Sequence, residues 1–118
     1  MPISNNVFST ALSGLRAAET RLGVSANNVA NANTPGFEAK EVGARPINDG
    51  GVIVDIRTKN PATVAAPSPG GEGTVQVPNV SLDQEAVNQV SAGYDFKANL
   101  KVLQVQKELD NALLDIQA

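Results

Sequence analysis

The chain has 118 residues, a formal net charge of −3, and neither cysteine nor histidine. The length is that of one ordinary domain, and the missing residue types exclude disulfides, thiol nucleophiles and the commonest metal and acid–base chemistry. Acidic and basic residues are mixed without a basic run, so neither nucleic acid nor an anionic membrane surface is expected as a partner.

The first residues, Met1 to Leu12, contain no basic start and no apolar run long enough for a cleaved signal or a membrane span. We therefore expect no direct insertion into a membrane. The protein either stays in the cytosol or leaves it by a route that reads no cleaved signal.

An apolar stripe predicts a helix in the N-terminal part of the chain. Its residues recur at steps of four and three, and Glu19 is the one charged interruption. Ala11, Ala18 and Ser25 flank the stripe with small side chains, which allows another helix to approach closely. The stripe consists of Phe8, Leu12, Leu15, Leu22, Ala26 and Val29.

Local signals set the ends of this helix. Ser4 or Asn5 is the expected N-cap. After Val29 the chain is rich in asparagine, and the residues from Asn33 to Gly36 are turn formers. Proline disfavours a helical conformation in the residue before it, and Pro35 followed by glycine fits the central positions of a type II turn.

The middle of the chain, Phe37 to Val80, is rich in proline and glycine. Its strongest β pattern is Gly51 to Arg57, with a weaker one at Thr74 to Val77, and Asn60 to Gly73 is predicted to be a flexible loop. Two short strands cannot bury enough surface to stand alone. This segment must therefore pack on another part of the protein.

A second helix is predicted to begin after Ser81 and to continue nearly to the C-terminus. Ser81 and Gln84 match a capping box, and Asp83 with Glu85 places negative charge in the first turn, which favours the helix dipole. The apolar face is broad, because Phe96 and several leucines lie beside the main stripe, and its excess area implies further partners. The main stripe consists of Val87, Val90, Tyr94, Ala98, Val102, Val105, Leu109, Ala112 and Ile116.

No pattern in the chain indicates an enzyme. The carboxylate pairs Asp83 with Glu85 and Glu108 with Asp110 are interpreted as solvated surface charge, since no pocket pattern flanks them. No phosphate-binding, metalloprotease or nucleophile-elbow spacing occurs. We therefore expect no catalytic residue, no metal, no cofactor and no small-molecule substrate.

The segment from Ala11 to Phe37, ALSGLRAAETRLGVSANNVANANTPGF, closely resembles the N-terminal signature of bacterial flagellar rod and hook proteins, the axial family of the flagellum. Near the C-terminus, the stretch from Tyr94 to Asn99 is similar to the family's aromatic-x-Ala-Asn element. Long family members carry large insertions between the two segments, whereas only Phe37 to Val80 intervenes here. The resemblance is therefore to a short, proximal-rod subunit.

The resemblance implies a mainly α fold, in which long N- and C-terminal helices pair as a coiled-coil-like hairpin around a short β-rich or loop segment. The expected division is 1–36 and 81–118 for the axial core and 37–80 for the insertion. The implied function is self-assembly into the hollow rod that drives bacterial motility. Implied partners are further copies, other rod subunits and, in transit, the flagellar export apparatus, without a cleaved signal peptide.

The resemblance also assigns residues to sites. Both apolar stripes except Ala112, together with Phe96 and Asn99, are expected at subunit interfaces. The family turn motif is expected to comprise Asn27, Asn28, Asn31, Asn33, Thr34, Pro35, Gly36 and Phe37. Its asparagines can cap the first helix or form hydrogen bonds within the turn or between subunits, and we weigh capping and interface use equally.

Two alternatives to a rod subunit are considered. A cytosolic coiled-coil adaptor or chaperone module would explain the apolar stripes, although it leaves the asparagine-rich turn without an explanation. An enzyme is the third hypothesis and would require a carboxylate pocket created by assembly.

Overall fold

A computed structural model describes residues 2–117 of the protein, and their side chains from Asn6 onward. Two long helices precede and follow a small segment of strands in the chain, as predicted. In chain order the elements are α1 (Pro2–Ala30), β1 (Lys40–Pro46), β2 (Val52–Thr58), β3 (Thr63–Pro67), β4 (Thr74–Pro78) and α2 (Leu82–Gln117).

The start of α2 is the predicted one. The hydroxyl oxygen of Ser81 accepts a hydrogen bond from the Gln84 backbone N–H at 3.4 Å, which satisfies one of the unpaired donors at the helix start. The Gln84 side chain donates to Asn88 Oδ1 at 3.2 Å and does not return to Ser81. Only one half of the capping box is therefore formed.

The two ends of α1 differ in how well they were predicted. The helix begins at Pro2, a residue favoured at a first helical position, so the N-cap expected at Ser4 or Asn5 is wrong. It ends at Ala30, as predicted. The type II turn is confirmed, because Gly36 has a φ of 81° and the Phe37 N–H donates to the Thr34 carbonyl at 3.2 Å.

The strands form two antiparallel hairpins, β1 with β2 and β3 with β4. Strand β1 was not predicted, and β3 lies inside Asn60 to Gly73, so the prediction of a loop there is wrong. Neither sequence alternates strongly between apolar and polar residues, and β1 carries a glycine at its centre. A Cβ on that glycine, Gly43, would lie 2.6 Å from Arg57 Nη2, so a side chain from β2 covers the space.

The hairpin of β1 and β2 lies along α1. At its tip, Ser13 Oγ accepts a hydrogen bond from the Val52 backbone N–H at 3.1 Å, and Gly51, with a φ of 103°, approaches the same hydroxyl. At its base, Lys40 is bound to Asn28 of α1. The prediction that the middle segment packs on another part of the protein is confirmed.

The helices α1 and α2 pack side by side and antiparallel. Arg21 contacts Asp95 at 2.6 Å, Ser25 contacts Gln89 at 3.2 Å, and Asn28 reaches Glu85, so residue numbers rise along α1 as they fall along α2. The molecule is consequently elongated, with extents of 77 × 24 × 15 Å.

The faces that the helices turn toward each other carry mostly small and polar side chains, with Phe96 and Leu103 as the large apolar exceptions on α2. On α1, Ala11, Ala18 and Ser25 are buried, as expected for residues that permit close approach. The corresponding residues of α2, all buried or half-buried at steps of four and three, are Glu85, Gln89, Ala92, Phe96, Asn99, Leu103, Gln106 and Asp110. With successive residues 100° apart, the apolar stripe predicted for α2 lies on the opposite side of that helix.

Gly14 tests this packing. Substitution of Gly14 by valine is expected to lower the free energy of unfolding by roughly 1–3 kcal/mol, because a Cβ there would lie 2.6 Å from the Asn99 amide. Gly23 is the matched control, since its Cβ would meet no atom within 4 Å, and Gly23→Val should be neutral or slightly stabilising. Urea unfolding followed by circular dichroism measures both, and equal effects would contradict the packing.

Candidate assembly interface

Three buried polar side chains join α1, β1 and the start of α2. Asn28, Ser25 and Glu85 are 1%, 2% and 5% exposed. Within the part of the chain whose side chains are described, no buried side-chain nitrogen or oxygen lacks a hydrogen-bond partner. We call these three residues the polar junction.

Asn28 forms the centre of the polar junction. Its amide Nδ2 donates to the Lys40 carbonyl at 2.7 Å, and its Oδ1 accepts from the Lys40 N–H at 3.0 Å. The same Nδ2 lies 3.3 Å from Glu85 Oε1. One amide side chain therefore fixes where β1 begins on α1 and where α2 meets both.

Ser25 adds a second link between the helices. Its hydroxyl donates to the Glu85 carbonyl at 3.1 Å and accepts from Gln89 Nε2 at 3.2 Å. Buried polar groups of this kind give a helix pair a defined register, since a shift would leave donors and acceptors unpaired.

The burial of Glu85 corrects one interpretation from the sequence. Of the carboxylates interpreted as solvated, Asp83 and Glu108 are exposed, Asp110 is half-buried and Glu85 is buried. The position of Glu85 in the first turn of α2 indicated a favourable interaction with the helix dipole. It gave no information on Asn28, which belongs to α1 and lies beside Glu85 only in the folded chain. Both come together only because α1 and α2 pair.

A polar cavity of about 290 Å³ opens beside the polar junction and is lined in part by Arg21, Lys40 and Lys59. The charged groups of these residues are already bound within the chain. Arg21 pairs with Asp95, Lys40 Nζ donates to Thr58 Oγ1 at 3.0 Å, and Lys59 Nζ donates to the Asn79 carbonyl at 3.0 Å. The lining therefore holds strands and helices together.

The remaining asparagines of the turn have separate roles. Asn31 Nδ2 donates to both the carbonyl and the Oδ1 of Asn27 at 3.0 Å, and Asn31 Oδ1 accepts from Thr34 Oγ1 at 3.3 Å. These bonds cap the end of α1 and close the turn, which is the capping use expected for the asparagines. Asn33 is exposed.

The residues predicted for subunit interfaces divide into two groups. Leu15 is buried and Leu12, Phe96 and Asn99 are half-buried, and of these Phe96 and Asn99 lie on the face of α2 that meets α1. The exposed group comprises Phe8, Leu22, Ala26, Val29, Val87, Val90, Tyr94, Ala98, Val102, Val105, Leu109 and Ile116.

An apolar patch stands out on α2. Val87, Val90 and Tyr94 are 61%, 59% and 68% exposed and, with Ala86, line one shallow depression. A run of this kind on one helix face exceeds what scattered exposed residues produce, and such patches mark interaction sites.

Two family descriptions match most of the chain. Residues 8–37 match "Flagella basal body rod protein", and residues 72–116 match "Flagellar basal body rod FlgEFG protein C-terminal". Flagellar basal-body rod protein FlgC of Yersinia enterocolitica is 36% identical over 121 residues, with 88% of this chain and 90% of the relative covered. The chain belongs to the FlgC family of flagellar basal-body rod proteins.

Further FlgC proteins show the same coverage of both chains. Those of Escherichia coli O6:H1 and Salmonella typhimurium are 32% and 33% identical, again with 88% of this chain and 90% of the relative covered. The family is a structural one of the flagellar basal body, so the prediction of a rod subunit that is not an enzyme is confirmed. The adaptor hypothesis is thereby set aside.

Neither helix within residues 2–117 has an apolar stretch of the length and hydropathy that a membrane crossing requires.

Sequence reasoning missed the ion pair and hydrogen bonds of Arg21 that join the helices. Arg21 donates to Asp95 and to Ser91 Oγ, and none of the three was assigned a role. The available signal was a seven-residue spacing of small and polar residues, Glu85, Ala92 and Asn99. These three residues lie on the side of α2 opposite the apolar stripe, and the interface prediction for α2 was based mainly on that stripe.

Asn28 and Asn33 provide a matched test of the polar junction. Asn28→Ala is expected to lower the free energy of unfolding by about 2–4 kcal/mol, because it leaves the Lys40 N–H and the buried Glu85 carboxylate without a partner. Asn33→Ala, at an exposed position of the same turn, should change it by less than about 0.5 kcal/mol. Urea unfolding of both variants checks this, and comparable losses would refute the central role of Asn28.

Proposed function

We propose that this rod subunit polymerises through its two helices into the hollow axial shaft of the proximal rod, which serves bacterial motility. The observation that carries the proposal is the exposed apolar stripe of α2, because intrachain pairing of the helices leaves it uncovered. Its partners are then further copies and other rod subunits.

The energy available from covering this stripe is sufficient for association. Complete burial of one valine from full exposure contributes roughly 1.5–3 kcal/mol, and the valines of the patch, 61% and 59% exposed, gain a proportionate part of it. Four or five such residues offset the several kcal/mol of lost freedom that association costs. The rest of the stripe, as far as Ile116, extends the contact along the helix.

The arrangement of apolar surface supports a growing assembly over a closed dimer. On α1 the stripe lies on the flank turned away from β1 and β2, whereas on α2 it lies opposite α1. Two different surfaces that bind each other form a heterologous contact, and such contacts propagate into filaments. We further propose that α1 and α2 pack as in a coiled coil, since residues buried between them follow steps of four and three.

The residues divide accordingly. We propose that 1–36 and 81–118 form the axial core and that 37–80 is an insertion. The exposed stripe residues contact neighbouring subunits, and the turn motif from Asn27 to Phe37 shapes the end of α1. The chain travels unfolded through the flagellar export apparatus without a cleaved signal, and the absence of cysteine suits a chain that must not carry disulfides during transit.

A tag inserted between Pro69 and Gly70 tests the location. This site lies in an exposed turn between β3 and β4, in which the Gly71 N–H donates to the Ser68 carbonyl, and such tips tolerate insertions. Electron microscopy with mass analysis of purified basal bodies should show the tag on the rod, near its base. A tagged chain that accumulates in the cytosol and is absent from basal bodies would refute the proposal.

Val90 tests the interface itself. Val90→Asp should reduce the amount of the chain in purified basal bodies by at least tenfold, because a carboxylate buried against an apolar neighbour lacks a partner. The stability of the unassembled chain should change little, since Val90 is 59% exposed. Val64→Asp, the same substitution at an exposed position of β3, should leave incorporation unchanged. Immunoblots of basal-body and soluble fractions measure both, and equal incorporation of the two variants would exclude the α2 patch.

A further inference from the structure

Two neighbouring depressions on α2 have the form of the holes that a helix offers to a partner in a coiled coil. Four residues at positions i, i+3, i+4 and i+7 bound such a hole. Both depressions lie on the side of α2 turned away from α1, and Ala86 and Asp95 add to the rim of the first. The four bounding residues are Val87, Val90, Ser91 and Tyr94 in the first depression, and Val90, Gly93, Tyr94 and Lys97 in the second.

Gly93 leaves space in the second depression. A glycine inside a helix destabilises it relative to alanine. Gly14 of α1 has an intrachain reason to be glycine, because a Cβ there would lie 2.6 Å from the Asn99 amide. A Cβ at Gly93 would meet no atom within 4 Å. The packing of the subunit therefore does not require a glycine at this position, and the space is available to another molecule.

The apolar stripe of α1 carries two exposed side chains that can enter such depressions. Leu22 and Ala26 are one turn apart, and Glu19 lies one turn before Leu22. With successive residues 100° apart, the three fall within about 60° of one another around the helix axis. All three are exposed, and Glu19 forms no ion pair with another described residue.

We propose that Leu22 and Ala26 of a second copy of this chain enter the two depressions, Leu22 at Gly93 and Ala26 at the first depression. The inference rests on the proposed function and names the two surfaces that meet. Subunits related by a screw axis keep the same polarity, so α1 of one copy runs antiparallel to α2 of the next. Each copy uses α2 toward one neighbour and α1 toward the other, so the contact repeats without a half-turn.

Charge complementarity supports this pairing. Residue numbers rise along one helix as they fall along an antiparallel partner. With Leu22 at Gly93, Glu19 of one copy therefore lies beside Lys97 of the next. Lys97 is exposed and has no ion partner within the described part of the chain. An exposed ion pair contributes little affinity, but the match of opposite charges selects a register.

The apolar residues match in the same register. The facing pairs are Val29 with Val87, Ala26 with Val90, Leu22 with Tyr94, and Phe8 with Leu109. The two stripes therefore cover each other over nearly the whole length of α1.

Registers displaced by one heptad are less favourable. A displacement of α1 toward the C-terminus of α2 places Glu19 beside Gln104 and leaves Val87 and Val90 uncovered. The opposite displacement places Glu19 beside Val90 and carries Val29 beyond the start of α2. Each loses the ion pair and part of the apolar contact.

A pair of introduced cysteines tests the contact in purified basal bodies, and the chain has no cysteine of its own. Mild oxidation of Ala26→Cys/Val90→Cys should join successive copies and give a ladder of dimers, trimers and larger products on a non-reducing immunoblot. Within one chain, position 90 lies on the side of α2 away from α1. A disulfide needs Cβ atoms about 3.5–4.5 Å apart, so these links join two chains.

Ala26→Cys/Ala98→Cys is the matched control. Ala98 is an exposed member of the same α2 stripe, eight positions after Val90, and it would face Ala26 only if the register moved by about one heptad. This variant should give no ladder. The two single-cysteine variants should give none either, because each lacks one half of the contact.

Gly93→Leu tests the second depression separately. The free energy of unfolding of the unassembled chain should stay the same or rise, because no atom obstructs the new side chain and leucine is the better helix former. The amount of the chain in basal bodies should fall by roughly tenfold, since the depression is then too narrow for Leu22. Gly93→Ala should give an intermediate loss. Urea unfolding and immunoblots of basal-body fractions measure both effects.

The outcomes separate the contact from the proposed function. Basal bodies that contain the Ala26→Cys/Val90→Cys chain but yield no ladder, yield a dimer alone, or yield a ladder only with Ala98→Cys overturn the contact and leave the rod function intact. Full incorporation of Gly93→Leu also overturns it. Basal bodies that lack even the unsubstituted chain overturn both. A ladder confined to Ala26→Cys/Val90→Cys, together with a stable Gly93→Leu chain that is not incorporated, supports the contact.

Discussion

The amide of Asn28 is the contact on which the rest of the structure depends. It binds the backbone of Lys40 through both its donor and its acceptor and reaches the Glu85 carboxylate of α2. A helix, a strand and a second helix thus meet at one side chain. Because Asn28 and Glu85 are buried, an arrangement that separated them would leave a buried donor or acceptor without a partner, at a cost of about 1–3 kcal/mol per group.

This junction explains an unusual distribution of residue types. Small and polar side chains predominate between the helices, where they are joined by Phe96 and Leu103, and most of the other large apolar side chains of α2 face outward. Small residues bring the two backbones close together, so that a side chain as short as that of Ser25 reaches the Glu85 carbonyl of the other helix. The polar contacts specify how the helices align, whereas the apolar residues remain available to other molecules. The subunit separates the determinants of its own shape from those of its assembly.

Much of the fold could be predicted from the sequence. Strong periodicity and an N-cap placed α2, and the proline and glycine after the asparagine-rich stretch placed the turn that ends α1. The strands were harder to recognise. β1 and β3 exist because their neighbours supply hydrogen bonds and cover their small residues, as Arg57 covers Gly43, and a single strand does not reveal its neighbour. Likewise, Arg21 and Asp95 are 74 positions apart, and periodicity relates only residues within one helix.

The position of the β1–β2 hairpin determines which sides of the helices neighbouring molecules can reach. Since it lies along one flank of α1 and is fixed at Ser13 and Asn28, neighbours can approach the apolar surface only from the remaining sides. A wall built from such pieces has two unlike surfaces. In the assembly that we propose, every copy presents its strands on the same surface of the wall, and substitutions at exposed positions of the strands would alter that surface while the contacts between helices stay the same.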